Sequence, residues 1–200
     1  MTALVSSHLS ILEGDGVAAS LGGLTDEEEL AISAIVRECV SSLVKEERPG
    51  PIVEFGTLFG LTTQLLAEAA PEGVTVLTVD NFCWNPFGLP PDLHRQFTRR
   101  ILRPYLETGR VRLIDQDSAL FRERYAGPIP QLVFFDADHS YEAVSDEIAW
   151  AKRMRIPCIA GHDYGNALFG VTRAVDEAFP EGVPVKGMVW WKAERRLAQA

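Results

Sequence analysis

VEFGTLFGLTT, residues 53–63, decides the fold. Its first half is a short apolar, β-rich run carrying one acid, Glu54. Its second half opens a helical pattern at Leu61, and Gly56 and Gly60 stand between the two. A strand that enters a helix through a glycine turn is the unit from which parallel sheets are wound, and the free N–H groups at the start of such a helix favour an anion. The spacing is neither G-x-x-x-x-G-K-S/T nor G-x-G-x-x-G, and no lysine follows to hold a phosphate. The phosphate loop and the dinucleotide fingerprint therefore each lack their defining feature. A helix start holds a carboxylate as readily as a phosphate.

Outward from this turn the alternation repeats. The runs PIVEF, VTVLTV, VRLI, QLVFF and IPCIA read as strands. Between and after them, helical patterns run from Leu61, through DLHRQFTRRIL, SALFRERY, YEAVSDEIAWAKRM and VTRAVDEAF, and a last apolar stretch, VKGMVWW, closes the series. Strands separated by helices imply right-handed crossovers, so the expected fold is α/β, a doubly wound, mostly parallel sheet covered on both faces. Upstream of the breaker RPGP, Thr25 as N-cap with Glu28 three residues on forms a capping box. Ile32, Ile35, Val36, Cys39, Val40 and Leu43 then fall on one helical face. Residues 1–23 are small and weakly periodic and read as a loose arm that orders against a partner or ligand. The expected organisation is an arm and amphipathic helix over 1–48, followed by one ligand-binding domain over 49–200.

A net charge of −9 argues against a nucleic-acid backbone as the main partner and for a small molecule. The basic stretch HRQFTRRILR interleaves Phe97, Ile101 and Leu102 at helical spacing and reads as a solvated helix face. Three scattered cysteines, Cys39, Cys83 and Cys158, give neither a disulfide framework nor a zinc spacing. With no basic signal start and no membrane-length apolar run, a soluble cytoplasmic protein is expected.

In wound sheets ligands bind beyond the carboxyl ends of the strands. Those ends carry Glu54 to Gly56, Asp80, Asp115 to Ser118, Asp136 to His139, and His162 with Asp163. Asp80 suits a carboxylate that grips ribose hydroxyls. Asp136, His162 and Asp163, ending neighbouring strands, suit a divalent cation that acts as Lewis acid on a hydroxyl. Taken singly these residues read equally well as turn caps and strand-end side chains; their coincidence favours a site. In the loop NFCWNPFGLPPD, Phe82, Trp84 and Phe87 are either a substrate wall or packing for the N-terminal helix.

VEFGTLFGLTT resembles the first motif of class I S-adenosylmethionine-dependent methyltransferases, most nearly the small-molecule O-methyltransferases of the catechol and caffeoyl-coenzyme A type. The resemblance runs from about Ile52 to Phe179. It implies a Rossmann-like fold in which Glu54, Gly56, Thr57, Leu58, Gly60 and Thr62 form the turn along the methionine moiety. Asp80 and Asn81 would bind the ribose, and DQDSALF would bring Asp117 and Ser118 to the adenine edge. Metal-dependent members carry an Asp at the place of Asp136, which adjoins both cofactor and metal, and an acidic or amide pair at the places of His162 and Asp163. The base position holds His139, as in macrolide-sugar O-methyltransferases, and DADHSYEAV with GHDYG resembles bacterial tailoring enzymes. His139 and Asp136 are thus the implied catalytic residues. His162 departs from an all-oxygen ligand set, so Mn²⁺, Fe²⁺ or Zn²⁺ joins Mg²⁺ as a fitting occupant.

The expected activity is metal-assisted O-methylation of a small-molecule hydroxyl. The acceptor pocket would be walled by the 81–91 loop, the N-terminal arm and, in a homo-oligomer, a second subunit. Two readings stand beside it: a metal-independent methyltransferase, and a non-catalytic S-adenosylmethionine binder. A short-chain NAD(P) oxidoreductase needs a Tyr followed four residues later by a Lys, and none of Tyr105, Tyr125, Tyr141 or Tyr164 has one.

Overall fold

Strand β1 (Ile52–Phe55) is buried along its whole length as the third strand of a seven-stranded sheet. The structure is a computed structural model and describes residues 23–40 and 50–193. The arm over 1–22 and Leu43 of the predicted helix lie outside the described residues. Helix α1 (Asp26–Val40) precedes β1, and α2 (Leu61–Ala69), β2 (Val76–Asp80), α3 (Pro91–Ile101), α4 (Arg103–Glu107) and β3 (Val111–Asp115) follow it. The chain continues with α5 (Ser118–Arg124), β4 (Leu132–Phe135), α6 (Tyr141–Met154), β5 (Cys158–Gly161), α7 (Val171–Ala178), β6 (Val185–Lys186) and β7 (Val189–Ala193). The strand order is β3-β2-β1-β4-β5-β7-β6, parallel except for β7, which runs antiparallel to β5 and β6. The expected doubly wound α/β architecture with an N-terminal helix is what forms.

The unbroken apolar runs of β1 and β4 follow from burial on both faces. Ile52, Leu132, Phe134, Cys158 and Ala160 pack on one side with Ile32, Ile35, Val36 and Val40 of α1 and Leu66 of α2. Val53, Phe55, Val133, Phe135 and Ile159 pack on the other with Phe121, Ile148, Trp150 and Val175 of α5, α6 and α7. The capping box forms as read: Glu28 Oε2 accepts from Thr25 N–H at 2.8 Å, and Thr25 Oγ1 accepts from Glu28 N–H at 3.4 Å.

The helix read over 92–102 forms as Pro91–Ile101 with Leu102 as its C-cap, and a short helix that the periodicity did not announce, α4, follows from Arg103. The last apolar stretch, VKGMVWW, forms a hairpin: Gly187, at φ 59°, takes the left-handed turn position, and Val185 pairs with Trp190. Among the described residues no helix is long and apolar enough to cross a membrane.

The chain winds from β1 outward to β2 and β3, then returns to β4 on the other side of β1. The crevice at this reversal lies beyond the carboxyl ends of β1 and β4.

Candidate active site

Sheet register sets the chemistry in one row. Phe55 pairs with Val79 and with Phe135, Asp80 with Asp115, and Phe135 with Gly161. Gly56, Asp80, Asp136 and His162 therefore emerge side by side from four adjacent strands.

The Gly56–Gly60 turn is held mainly from outside itself. Asp80 Oδ2 accepts from the N–H groups of Thr57 at 2.8 Å and Leu58 at 2.9 Å, while Oδ1 accepts from Phe82 N–H at 2.7 Å. The Leu58 carbonyl accepts from His94 Nε2 at 2.8 Å and from Thr98 Oγ1 at 2.6 Å. A carbonyl only accepts, so the His94 proton sits on Nε2. These bonds fix Leu58 at φ 46°, a left-handed conformation that costs a side-chain-bearing residue roughly 1–2 kcal/mol. Gly60, at φ 89°, precedes α2 without a side-chain cap, so the first-turn N–H groups of that helix are open to an anion.

Asp80→Ala should loosen this turn. It strips the acceptor from three main-chain N–H groups at once, and we expect a loss of about 3 kcal/mol, the scale of hydrogen bonds to a charged group. Asp80→Asn, which keeps one carbonyl acceptor, should recover part of it. Urea denaturation of both variants reads the difference, and equal midpoints for Asp80→Ala and wild type would remove Asp80 as the organiser.

Beneath the turn lies a buried polar cluster. Thr57 Oγ1 and Thr78 Oγ1 are 2.5 Å apart, and Thr63 Oγ1 donates to Glu54 Oε2 at 2.5 Å. Burial pushes the Glu54 carboxyl up to about 8, against the Thr63 and Thr78 hydroxyls. It is a neutral acid at pH 7 that supports the turn from below. Thr62 is also buried.

The loops after β4 and β5 bring together the second group. Asp136, His139 and Asp163 each offer a ligand atom, all within 4.8 Å of one another. Nδ1 of His139 lies 3.2 Å from Asp163 Oδ2; Nδ1 of His162 lies 3.4 Å from the same oxygen and 3.7 Å from Asp136 Oδ1. Two imidazoles thus face one pair of acids. Burial pushes Asp136 up to about 7, the His162 charge opposing and Asp163 and Glu28 adding to the rise. Burial would lower His162, but its hydrogen bond to Asp163 and the charges of Asp136, Asp163 and Glu28 hold it at about 9. His139 is drawn below its ordinary value, chiefly by burial and also by His162, with Asp163 and Asp138 opposing, so it is neutral at pH 7. Its ring stacks on Phe169 at 4.7 Å. Beside it a cleft of about 500 Å³, lined by Asn166, Phe169, Thr172 and Arg173 among others, is of small-molecule size.

Other candidates are committed locally. Asp117 caps α5, accepting from Ala119 N–H at 2.9 Å and Leu120 N–H at 3.2 Å. Ser118 Oγ donates to Glu147 Oε1 at 3.4 Å, beside an Arg122–Glu147 ion pair of 2.9 Å. Asn81 is exposed, and its Oδ1 accepts from Cys83 N–H at 3.0 Å. The 81–91 aromatics divide: Phe82 is fully buried, edge-on to His94 at 5.2 Å, whereas Trp84 is 71% exposed and Phe87 51%. Only the latter two are open to a substrate.

Four contributors escaped the sequence reading: Glu28, His94, Thr98 and Glu147. His94 and Thr98 belong to the helix read as a solvated basic face, yet both are buried against the turn. Glu28 was legible only as a capping partner.

The family model described as "Methyltransferase domain" matches residues 53–164, from β1 past β5. Among solved structures, an O-methyltransferase from Bacillus cereus in complex with SAH is 16% identical, with a TM-score of 0.62 over 94% of this chain and 91% of that one. The O-methyltransferase TomG from Streptomyces achromogenes, involved in tomaymycin synthesis and in complex with SAM, is 12% identical, with a TM-score of 0.60 over 86% and 82%. CalS11, a TDP-rhamnose 3'-O-methyltransferase of calicheamicin biosynthesis, is 16% identical, with a TM-score of 0.59 over 96% and 86%. These likenesses concern the fold. No curated protein matches the chain by sequence.

Proposed function

The chain belongs to the methyltransferase-domain family, and from that premise we propose that it transfers the methyl group of S-adenosylmethionine to a small-molecule hydroxyl, with a divalent cation at Asp136, His162 and Asp163 and His139 as general base. The observation that carries this reading is the convergence of two acids and two imidazoles beside the glycine turn at the winding reversal.

S-adenosylmethionine, when bound, supplies an electrophilic methyl. The open N–H groups at the start of α2 suit its carboxylate. Asp80 has already given two of its roughly four acceptor positions to the turn and a third to Phe82 N–H, so it is left with one for a ribose hydroxyl. Main-chain groups and the exposed Asn81 must then share the ribose.

Two carboxylates and an imidazole suit Mg²⁺, Mn²⁺, Fe²⁺ or Zn²⁺, and such a cation, when bound, acidifies a hydroxyl beside it. Without one, Asp136 and Asp163 repel, and the charged ring of His162 fills the gap between them. His139 directs Nδ1 toward Asp163 and keeps Nε2 as the nitrogen that takes the acceptor's proton. Phe169 holds that ring flat from one side, and Leu168, exposed beside it, offers apolar surface to the acceptor.

The test is SAH release from S-adenosylmethionine against a panel of phenols, catechols and sugar hydroxyls. With the acceptor found, His139→Ala should lower turnover on the order of 100-fold or more, while SAH affinity by calorimetry stays unchanged. A base must be neutral to act, and burial lowers this one. The wild-type rate should therefore rise with pH through a value below the ordinary 6.5. Normal turnover and an unchanged pH profile in His139→Ala would end its role as base. A second assignment, His139 as third cation ligand in place of His162, is favoured by the 4.8 Å grouping. Mn²⁺ affinity lost in His139→Ala but kept in His162→Ala would establish it.

A further inference from the structure

The N-terminal helix reaches the strand-end cluster through one carboxylate. Glu28 is 2% exposed and divides its oxygens between two tasks. Oε2 caps α1 through Thr25, while Oε1 accepts from His162 Nε2 at 3.2 Å and from Met188 N–H at 2.9 Å. The β6–β7 turn holds the side chain in place: a Cβ at Gly187 would lie 2.6 Å from Glu28 Cγ. Three segments therefore meet at this carboxylate, the start of α1, the end of β5 and the hairpin.

The consequence for His162 is geometric. With Nε2 bound to Glu28, the ring can turn only Nδ1 toward Asp136 and Asp163, at 3.7 and 3.4 Å. A ligand histidine whose second nitrogen is bound by a carboxylate is the usual outer arrangement of a metal site: it fixes the ring and raises the basicity of the ligating nitrogen. We propose that Glu28 is the positioning residue of the cation site, the outer member of a Glu28–His162–cation chain, so that the site is completed by the N-terminal helix. The inference rests on the cation reading above.

The experiment uses the whole chain and Mn²⁺ alone, followed by calorimetry. Glu28→Gln, nearly isosteric but uncharged, should weaken Mn²⁺ about 10-fold, and Glu28→Ala by up to about 100-fold, the range for outer-shell carboxylates. Thr25→Ala weakens the cap and leaves Oε1 untouched; its melting temperature should fall while Mn²⁺ affinity stays within about twofold, which a merely structural role for Glu28 does not allow. In a His162→Ala background, Glu28→Gln should have no further effect on Mn²⁺, because the chain is already cut. Nitrogen-15 spectra of the His162 ring give a readout independent of metal: the Nε2–H signature of wild type should change in Glu28→Gln. Folded Glu28→Gln with wild-type Mn²⁺ affinity and an unchanged ring spectrum overturns the proposal. No Mn²⁺ binding by wild type overturns it too, but by removing the cation itself, which no variant is needed to see.

Discussion

Gly56→Val is expected to leave almost no folded protein. Phe55 pairs with Phe135, so the next residues, Gly56 and Asp136, stand shoulder to shoulder at the winding reversal. A Cβ at Gly56 would lie 2.0 Å from the Asp136 carbonyl oxygen and 2.5 Å from its carbon, and both atoms are main chain. No rotamer relieves such a clash; β1 and β4 would have to separate at the centre of the sheet. Gly56 also sits at φ 90°, where a β-branched residue is strained even in open space. We expect a loss of at least about 5 kcal/mol, within the exceptional class of single substitutions, and most of a domain's stability. Soluble yield and a circular-dichroism melt measure it, and a melting temperature within a few degrees of wild type would contradict the geometry. Loss of SAH binding in this variant would not by itself show that Gly56 touches the ligand. From sequence, this glycine was expected to admit a cofactor; in the structure it first admits a neighbouring strand.

Chelation is expected to have the second large effect. EDTA should abolish turnover and lower the melting temperature, and Mn²⁺ should restore both in wild type but not in Asp136→Asn or Asp163→Asn. Burial pushes Asp136 up to about 7, with the His162 charge opposing and Asp163 adding to the rise, so a cation at the site would take over the neutralisation that His162 gives in part. A cation that binds only the folded state, at 100 times its Kd, stabilises it by about 2.7 kcal/mol. For a domain of this size that is roughly 5–10 °C. Losing several kcal/mol of charge stabilisation during reaction corresponds to turnover lower by on the order of 100- to 1000-fold. Asp163→Asn is the cleaner of the two variants, since residue 163 sits at φ 61° and asparagine tolerates that conformation as aspartate does. Full activity after exhaustive chelation, with no metal found by elemental analysis, would leave the activation to His139 alone.

The fold was legible because its signals are local or periodic. Val53 and Phe55 face one side of the sheet and Ile52 the other, and burial on both faces forces the continuous apolar run that reads as a central strand. The row of strand-end residues was legible for the same reason, since parallel winding puts Asp80, Asp136 and His162 at one edge whatever the loops do. Partnership was not legible. The spacing of Thr25 and Glu28 announces a cap, but nothing in it says that the second carboxylate oxygen reaches His162, 134 residues later. His94 and Thr98 lie one helical turn apart among arginines, and the charge around them hid a buried stripe that grips the Leu58 carbonyl. VKGMVWW was legible only as apolar: its content is the same for one strand and for a hairpin, and the conformation of Gly187 distinguishes them.

The clamp on Leu58 has a consequence during synthesis. Its N–H is held by Asp80, 22 residues on, and its carbonyl by His94 and Thr98, 36 and 40 residues on. None of these partners is free to dock when the turn first leaves the ribosome, and a leucine will not hold a left-handed backbone unaided. The glycine turn therefore waits in another conformation until β2 and α3 have emerged and docked, and contacts of such separation form late because chain entropy must be spent before they form. The turn should be one of the last parts of this half-domain to mature, so stalled chains that end before residue 98 should carry the motif but not its shape.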